Sequence, residues 1–253
     1  MTGESRSRSG PPVVIFDEID STNAEARRRA EAGEEGPVWL LGLRQTSGRG
    51  RRGRAWETGQ GNLAATLLFR TEKPAAEAAQ VSFVAALAVA DLLDLYVPAH
   101  LVSLKWPNDP LIGGLKASGI LVESGSSALG GLWIAVGIGV NLVQGPAASE
   151  RPATSVMAHS ATAVPSPPLA LQALADAFAR WQGVWEQVGF PAIAQAWTER
   201  AYGLGEACVA RLGHETVEGI AEGLDTDGSL RLRLVDGSVR RISAGDVFFG
   251  EAG

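Results

Sequence analysis

"TSGRGRRGRAW", Thr46 to Trp56, sets four arginines within six consecutive positions and seats Gly48, Gly50 and Gly53 among them. It is a nucleic-acid tether, a phosphate cradle or a solvated basic loop, and each belongs to a different kind of chain. The flanks narrow the choice. "PVWLLGLRQT" before it has the apolar content of a buried strand, and "NLAATLLF" after it is an apolar run bounded by turn residues. The stretch is therefore a loop between two buried strands. Its glycines let the backbone turn tightly and approach a ligand, and its arginines supply forks for phosphate or carboxylate oxygens. No Gly-Lys-Ser/Thr follows, so it is not a Walker loop. The whole chain has net charge −6 and pI near 5.2, which leaves no global basic field to attract DNA or RNA. A basic cluster on an acidic chain points to a small anion held locally.

The bulk composition agrees with a soluble globular protein. With 253 residues, 45% of them hydrophobic, the chain can bury a substantial core in one large domain or two unequal ones. The single cysteine, Cys208, excludes an internal disulfide, fits a reducing cytoplasm and reads as a buried inert thiol. "MTGESRSRSG" at the start has no apolar run, so no secretory signal is expected. Asp91 and Asp94 interrupt the most apolar segment, Ala78 to Val97, and its uncharged part falls short of the roughly 18 residues a membrane span needs. Cytoplasmic localisation without membrane attachment is the expectation. Only Lys73, Lys105 and Lys116 are lysines among 22 basic residues. A lysine here marks a place where the broad arginine fork would not serve.

Outward from the loop, residues 1–11 read as a flexible tail, and "VVIFDEID" as a strand. "STNAEARRRAEAG" is a helix with Ser21 or Thr22 as N-cap and Gly33 as its stop. Residues 75–96 form an apolar helix ended by Pro98, and three strands follow in "HLVSLKW", "SGILVES" and "LWIAVGIGVNL". Residues 145–168 are mostly loop. Two helices come next, whose Trp181, Trp185 and Trp197 serve packing. After Gly203 the texture changes to short alternating segments punctuated by glycine and Asp-Gly, the pattern of a small all-β barrel or sandwich. The expected division is a catalytic domain at 12–202 and a β domain at 203–253.

Three further pieces fall on loops or strand ends. "KWPND", Lys105 to Asp109, puts an amide and a carboxylate beside a proline turn; alone it is a strand ending in an Asn-Asp turn. "KASGILVE", Lys116 to Glu123, sends a lysine into a strand and removes a side chain at Gly119. "GIGVN", Gly137 to Asn141, is a strand whose glycines open room for something flat. Together with "STN" at Ser21 to Asn23 and Gln45 ahead of the arginine loop, their order and spacing resemble the signature segments of the biotin protein ligases. The resemblance covers roughly Val13 to Phe249. It implies an α+β fold: a mixed-sheet catalytic domain related to class II aminoacyl-tRNA synthetases and lipoyl ligases, followed by a small Src-homology-3-like β-barrel. About twenty residues precede "STN", too few for the DNA-binding helix-turn-helix that some members carry, so the short ligase form is implied.

The resemblance also implies a reaction and a set of roles. Biotin's carboxylate attacks the α-phosphate of ATP, giving biotinyl-5′-AMP and pyrophosphate. A lysine of a biotin carboxyl carrier protein, on acetyl-CoA carboxylase or a related carboxylase, then attacks that anhydride. Mg2+ is implied with the nucleotide, no nucleic-acid partner is expected, and self-association into a homodimer is left open. Ser21, Thr22, Asn23 and Gln45 would meet the ureido ring, and Gly119 would leave space beside it. Arg49, Gly50 and Arg51 would close over biotin and phosphate, with Arg51 on the phosphate side. Lys116 would bridge the biotin carboxylate and the α-phosphate. Arg54, Trp56, Asn108 and Asn141 fall at the nucleotide positions, with Trp56 near adenine. Asp109 would engage the acceptor ammonium or a magnesium ion; both stay open. Arg51, Lys116 and Asp109 are the implied catalytic residues, and Lys105 and Trp106 supports. The arginine loop, with its glycines and repelling charges, is expected to order only over ligand. A lipoyl ligase of the same superfamily is the alternative enzyme, and the arginine loop argues against it.

Overall fold

A computed structural model describes residues 10–146 and 152–250; most of the expected N-terminal tail lies outside them. The core is a five-stranded mixed sheet in the order β1-β2-β3-β8-β7. Its strands are β1 (Val13–Phe16), β2 (Val38–Gly42), β3 (Leu63–Thr71), β7 (Ser118–Ser126) and β8 (Leu132–Val140). Only β1 and β2 pair in parallel; the other neighbours are antiparallel.

Helices cover both faces of this sheet, which is why β2 is buried throughout and β3 alternates poorly. On one face α3 (Val81–Asp94) and α4 (Pro167–Gln187) pack against Trp39, Leu41, Leu63, Ala65 and Leu67. On the other, α1 (Thr22–Glu31) sets Ala26 against Val38, Leu40, Leu68 and Ala135. The helix is only ten residues long, so it covers half of its face. The uncovered half is where the cavity forms.

The expected helix at 75–96 is two, α2 (Ala75–Ala78) and α3, joined through Ala79 and Gln80. By length and composition Ala75–Asp94 could cross a membrane, but 67% of its apolar window is buried inside this protein. It serves as the core helix. Trp197, on α5 (Phe190–Glu199), and Trp185 are buried, while Trp181 is partly buried and donates to Asp91.

Sequence patterning missed a second small sheet made of β4 (Val102–Lys105), β5 (Asp109–Ile112) and β6 (Leu115–Lys116). "KWPND" does end a strand, β4 at Lys105, and its turn leads straight into β5, so the segment is the bend of a hairpin with Lys105 paired to Asp109 across it. Pro110 at the second position of β5 argues against a strand in any local reading. In space the hairpin brings Lys105, Asp109 and Lys116 to one end of a three-stranded sheet.

The last five strands are β9 (Ala207–Arg211), β10 (Thr216–Leu224), β11 (Leu230–Arg233), β12 (Val239–Ile242) and β13 (Asp246–Phe249). They form an antiparallel sheet in the order β12-β11-β10-β9-β13. Leu230 and Leu232 point inward while Arg231 and Arg233 face water, the alternation the sequence carries. Cys208 lies in this unit, where burial pushes its thiol up to about 11 and keeps it protonated at neutral pH. The unit sits tightly on the rest. Gly228 (φ 89°) backs onto Phe83 and Phe190, and its carbonyl accepts a hydrogen bond from Trp106 Nε1 at 3.0 Å.

Candidate active site

The uncovered half of the sheet is the floor of a cavity of about 440 Å³. Side chains directly opposite each other across paired strands share a face. Ala64, Gly139 and Gly119 are such a row on β3, β8 and β7, and the neighbouring row contains Thr66, Gly137 and Leu121. The floor therefore has almost no side chains. Each glycine is used: a Cβ at Gly137 would stand 1.9 Å from Asn23 Oδ1, and one at Gly139 would stand 2.3 Å from the Trp56 ring. The flat object over Gly139 of "GIGVN" is, in this structure, the protein's own indole. Gly119, expected beside a biotin ring, and Trp56, expected beside adenine, are in contact: a Cβ at Gly119 would approach Trp56 Cζ3 to 2.7 Å.

One wall is polar and buried. Ser21 caps α1 through its Oγ, which accepts from Ala24 N at 3.4 Å, and this places Thr22 and Asn23 in the first turn facing Thr66. Asn23 Nδ2 donates to Glu123 Oε2 at 2.8 Å and to Leu121 O at 3.3 Å. Thr66 Oγ1 lies 2.7 Å from Asn23 Oδ1 and 2.8 Å from Thr22 Oγ1. Gln45 Oε1 accepts from Thr22 N at 2.9 Å, and its Nε2 donates to Thr58 Oγ1 at 3.0 Å. Glu123, Asn23, Thr66, Thr22, Gln45 and Thr58 thus form one connected chain.

The arginine loop forms the opposite lip. It makes a single 3-10 turn at Arg51–Gly53, with Arg52 itself left-handed (φ 56°). Gly48 is required, because a Cβ there would sit 2.3 Å from Trp56 O. Every arginine has an acceptor. Arg51 reaches Asn108 Oδ1 at 3.1 Å and Gly245 O at 3.4 Å; Arg52 and Arg54 both bind Asp246; Arg49 lies 3.8 Å from Glu123. The repulsion that the sequence implies is answered by β13, nearly two hundred positions away. Burial pushes the Arg51 guanidinium below its usual range, against the pull of Asp246 and Asp109.

At the third side Lys116 Nζ lies 2.5 Å from Asp109 Oδ1, and Lys105 Nζ lies 3.7 Å from Asp109 Oδ2. Asp109 is buried at 6% exposure, so its charge is held by these two ammonium groups. Asn108 Nδ2 donates to Ile120 O at 2.7 Å and Asn141 Nδ2 to Thr154 O at 3.0 Å, fixing both amides at the cavity edge. Among the described residues no group of three or more His, Cys, Asp or Glu could cage a metal ion.

All the positions selected from the sequence line this one cavity, from Ser21 on the polar wall to Asn141 at the edge. Asp246 lines it too and was missed, because it lies in a segment that reads as an ordinary barrel strand. Glu123 and Thr66 were also missed. For Glu123 a signal existed: it follows Gly119 by four positions, so in a strand it shares that glycine's face.

A bare floor between a hydrogen-bonding wall whose cavity-lining groups are neutral and a cationic lip suits a ligand with a polar, uncharged head and an anionic tail. With a lysine–aspartate pair at the seam, the fold and site define an acid-activating ligase. Comparison with known proteins narrows this. The model of the biotin/lipoate A/B protein ligase family matches residues 15–141, and that of the biotin protein ligase C-terminal domain matches 203–250. The chain is 47% identical over 237 residues to the biotin–[acetyl-CoA-carboxylase] ligase of Paracoccus denitrificans, covering 91% of this chain and 98% of that one. It is 33% identical to the ligase of the same name from Mycobacterium tuberculosis, covering 92% and 87%. The fold matches the biotin protein ligase from Aquifex aeolicus in complex with biotin and ATP, with TM-score 0.81, 24% identity, and 95% and 99% of the chains covered. This chain belongs to the biotin protein ligases, and it is an enzyme that attaches biotin to protein.

Proposed function

We propose that the cavity activates biotin with Mg·ATP and passes it to a lysine of the biotin carboxyl carrier protein of acetyl-CoA carboxylase or a related carboxylase, in the cytoplasm. The observation that carries this is the convergence of the neutral wall, the arginine lip and Lys116 on one cavity. The wall offers oxygens to the two ureido N–H groups. The glycine floor admits the fused rings once Trp56 moves aside or packs against them, and the nucleotide lies toward Arg54, Asn108 and Asn141.

Lys116 then exchanges Asp109 for the two anions that must react, the biotin carboxylate and the α-phosphate. A compact ammonium between them neutralises both and holds them in line. A carboxylate oxygen bonds to the α-phosphorus as the bond to the bridging oxygen breaks, and pyrophosphate leaves with its magnesium. Arg51 holds the phosphate of the resulting anhydride. In the second step the acceptor amine attacks the acyl carbon, the C–O bond to AMP breaks, and the amine proton is lost. Asp109, already a site for two ammonium groups, supports the reading in which it receives the acceptor lysine; magnesium travels with the nucleotide. A homodimer is compatible with this scheme and not required by it, since every proposed group comes from one chain.

The test combines the enzyme, a biotin carrier domain, biotin and Mg·ATP, read by avidin blot and pyrophosphate release, with lipoate replacing biotin in a parallel arm. Carrier labelling and pyrophosphate are expected with biotin alone. Pyrophosphate with lipoate but not biotin would overturn the assignment.

A further inference from the structure

Glu123 stands at the end of the polar wall, and its chemistry differs from that of every other member. Asparagine, threonine and glutamine can each donate or accept, so a chain built from them alone can run in either direction. An ionised carboxylate only accepts. Asn23 must therefore turn its Nδ2 toward Glu123, where the distance is 2.8 Å. The second N–H goes to Leu121 O, a longer contact of 3.3 Å. Both amide protons are thereby used on the β7 side, and Oδ1 is forced to the other side. There it takes the Thr66 hydroxyl proton at 2.7 Å and hangs over Gly137, on the cavity floor.

We propose that Glu123 is a positioning residue for biotin: its charge sets the direction of the wall, so that Asn23 presents an oxygen, not an NH2, to the ureido N–H groups. The inference rests on the reading that this wall meets the ureido ring. A flipped Asn23 would oppose donor to donor. With Glu123 neutral, only the long Leu121 contact would resist the flip. The same carboxylate lies 3.8 Å from Arg49, which couples the wall to the lip. Glu123 does not touch the reacting atoms, so its loss should appear in biotin binding and not in the nucleotide's.

The experiment is a double-mutant cycle on the full chain, with pyrophosphate release as readout. Glu123→Gln is expected to raise the KM for biotin about tenfold while the KM for Mg·ATP and kcat change less than twofold. In an Asn23→Ala background the same Glu123→Gln change should cost less than twofold, because no amide is left to orient. Glu123→Asp, which keeps an acceptor-only group, should recover most of the loss. Equal losses from Glu123→Gln with and without Asn23 would overturn the proposal, as would a wild-type biotin KM in Glu123→Gln. If Asn23→Ala itself leaves the biotin KM unchanged, the ureido assignment of the wall fails instead, so the two failures are distinguishable.

Discussion

The polar wall and the arginine lip face each other across one cavity and are built on opposite principles. Thr22, Asn23 and Thr66 are buried, neutral and bonded to one another before any ligand arrives. The arginines of the lip are charged, and their side chains keep 40–43% exposure at Arg49, Arg52 and Arg54; they are satisfied by Asp246, Gly245 and Glu123. The wall cannot trade partners cheaply, because a buried polar group without one costs about 1–3 kcal/mol. The lip can, because exposed ion pairs are worth only about 0–1 kcal/mol and phosphate oxygens replace them well. The difference separates two tasks. On the proposed reading, recognition of a neutral ring would be fixed in advance, and retention of a reactive anion would fall to groups that change partners.

The sharpest way to break this division is at the seam where wall and lip meet. Lys116→Arg keeps the charge but widens the group between the two anions, and a misplacement of about an ångström in an alignment-driven step costs on the order of a hundredfold. Adenylate formation, followed as pyrophosphate release, should fall by that amount. A rate near wild type would mean that charge alone suffices there.

On the lip, Arg51→Gly should let the anhydride escape and label proteins at large. One charge-assisted bond is worth roughly 1.5–3 kcal/mol, which is about ten- to a hundredfold in adenylate release. Biotinylation of a bystander such as serum albumin, compared on avidin blots, should rise accordingly, while adenylate synthesis falls less. Adenylate formation without bystander labelling would show that Arg51 does not retain the product.

The wall should fail in a different currency. Thr66→Val keeps the shape and removes the hydroxyl that joins Thr22 to Asn23, so the biotin KM should rise about tenfold with no gain in bystander labelling, from the roughly 1–3 kcal/mol cost of the orphaned partners. If Thr66→Val released adenylate as Arg51→Gly does, the two regions would not divide the work. The smallest effect belongs to Asp246→Asn. Its ion pairs to Arg52 and Arg54 are partly exposed, so trypsin cleavage within the ligand-free loop should quicken only about two- to fivefold. Cleavage of this variant in the presence of biotin and Mg·ATP should match wild type, since the phosphates then hold the arginines.

Local pattern was enough to delimit most of the sheet, because strands buried on both faces read as apolar runs between turns, as β2, β3 and β8 do. It was enough for the first turn of α1, where Ser21 caps the helix that places Thr22 and Asn23. It also assembled the positions that line the cavity, since the motifs that carry them keep a recognisable order and spacing. The hairpin around Trp106–Asn108 was hidden by Pro110, and the break between α2 and α3 carries no glycine or proline to mark it. What only the tertiary structure decided is which groups balance the motif's charges and set its direction. Asp246 meets the arginines from β13, and Glu123 meets Asn23 from a β-strand a hundred positions downstream. A compensating charge needs only proximity in space, so it leaves no period or spacing in the chain. Likewise Trp56 lying on Gly119 and Gly139 follows from two strands pairing in register beneath a distant loop, which no single segment contains.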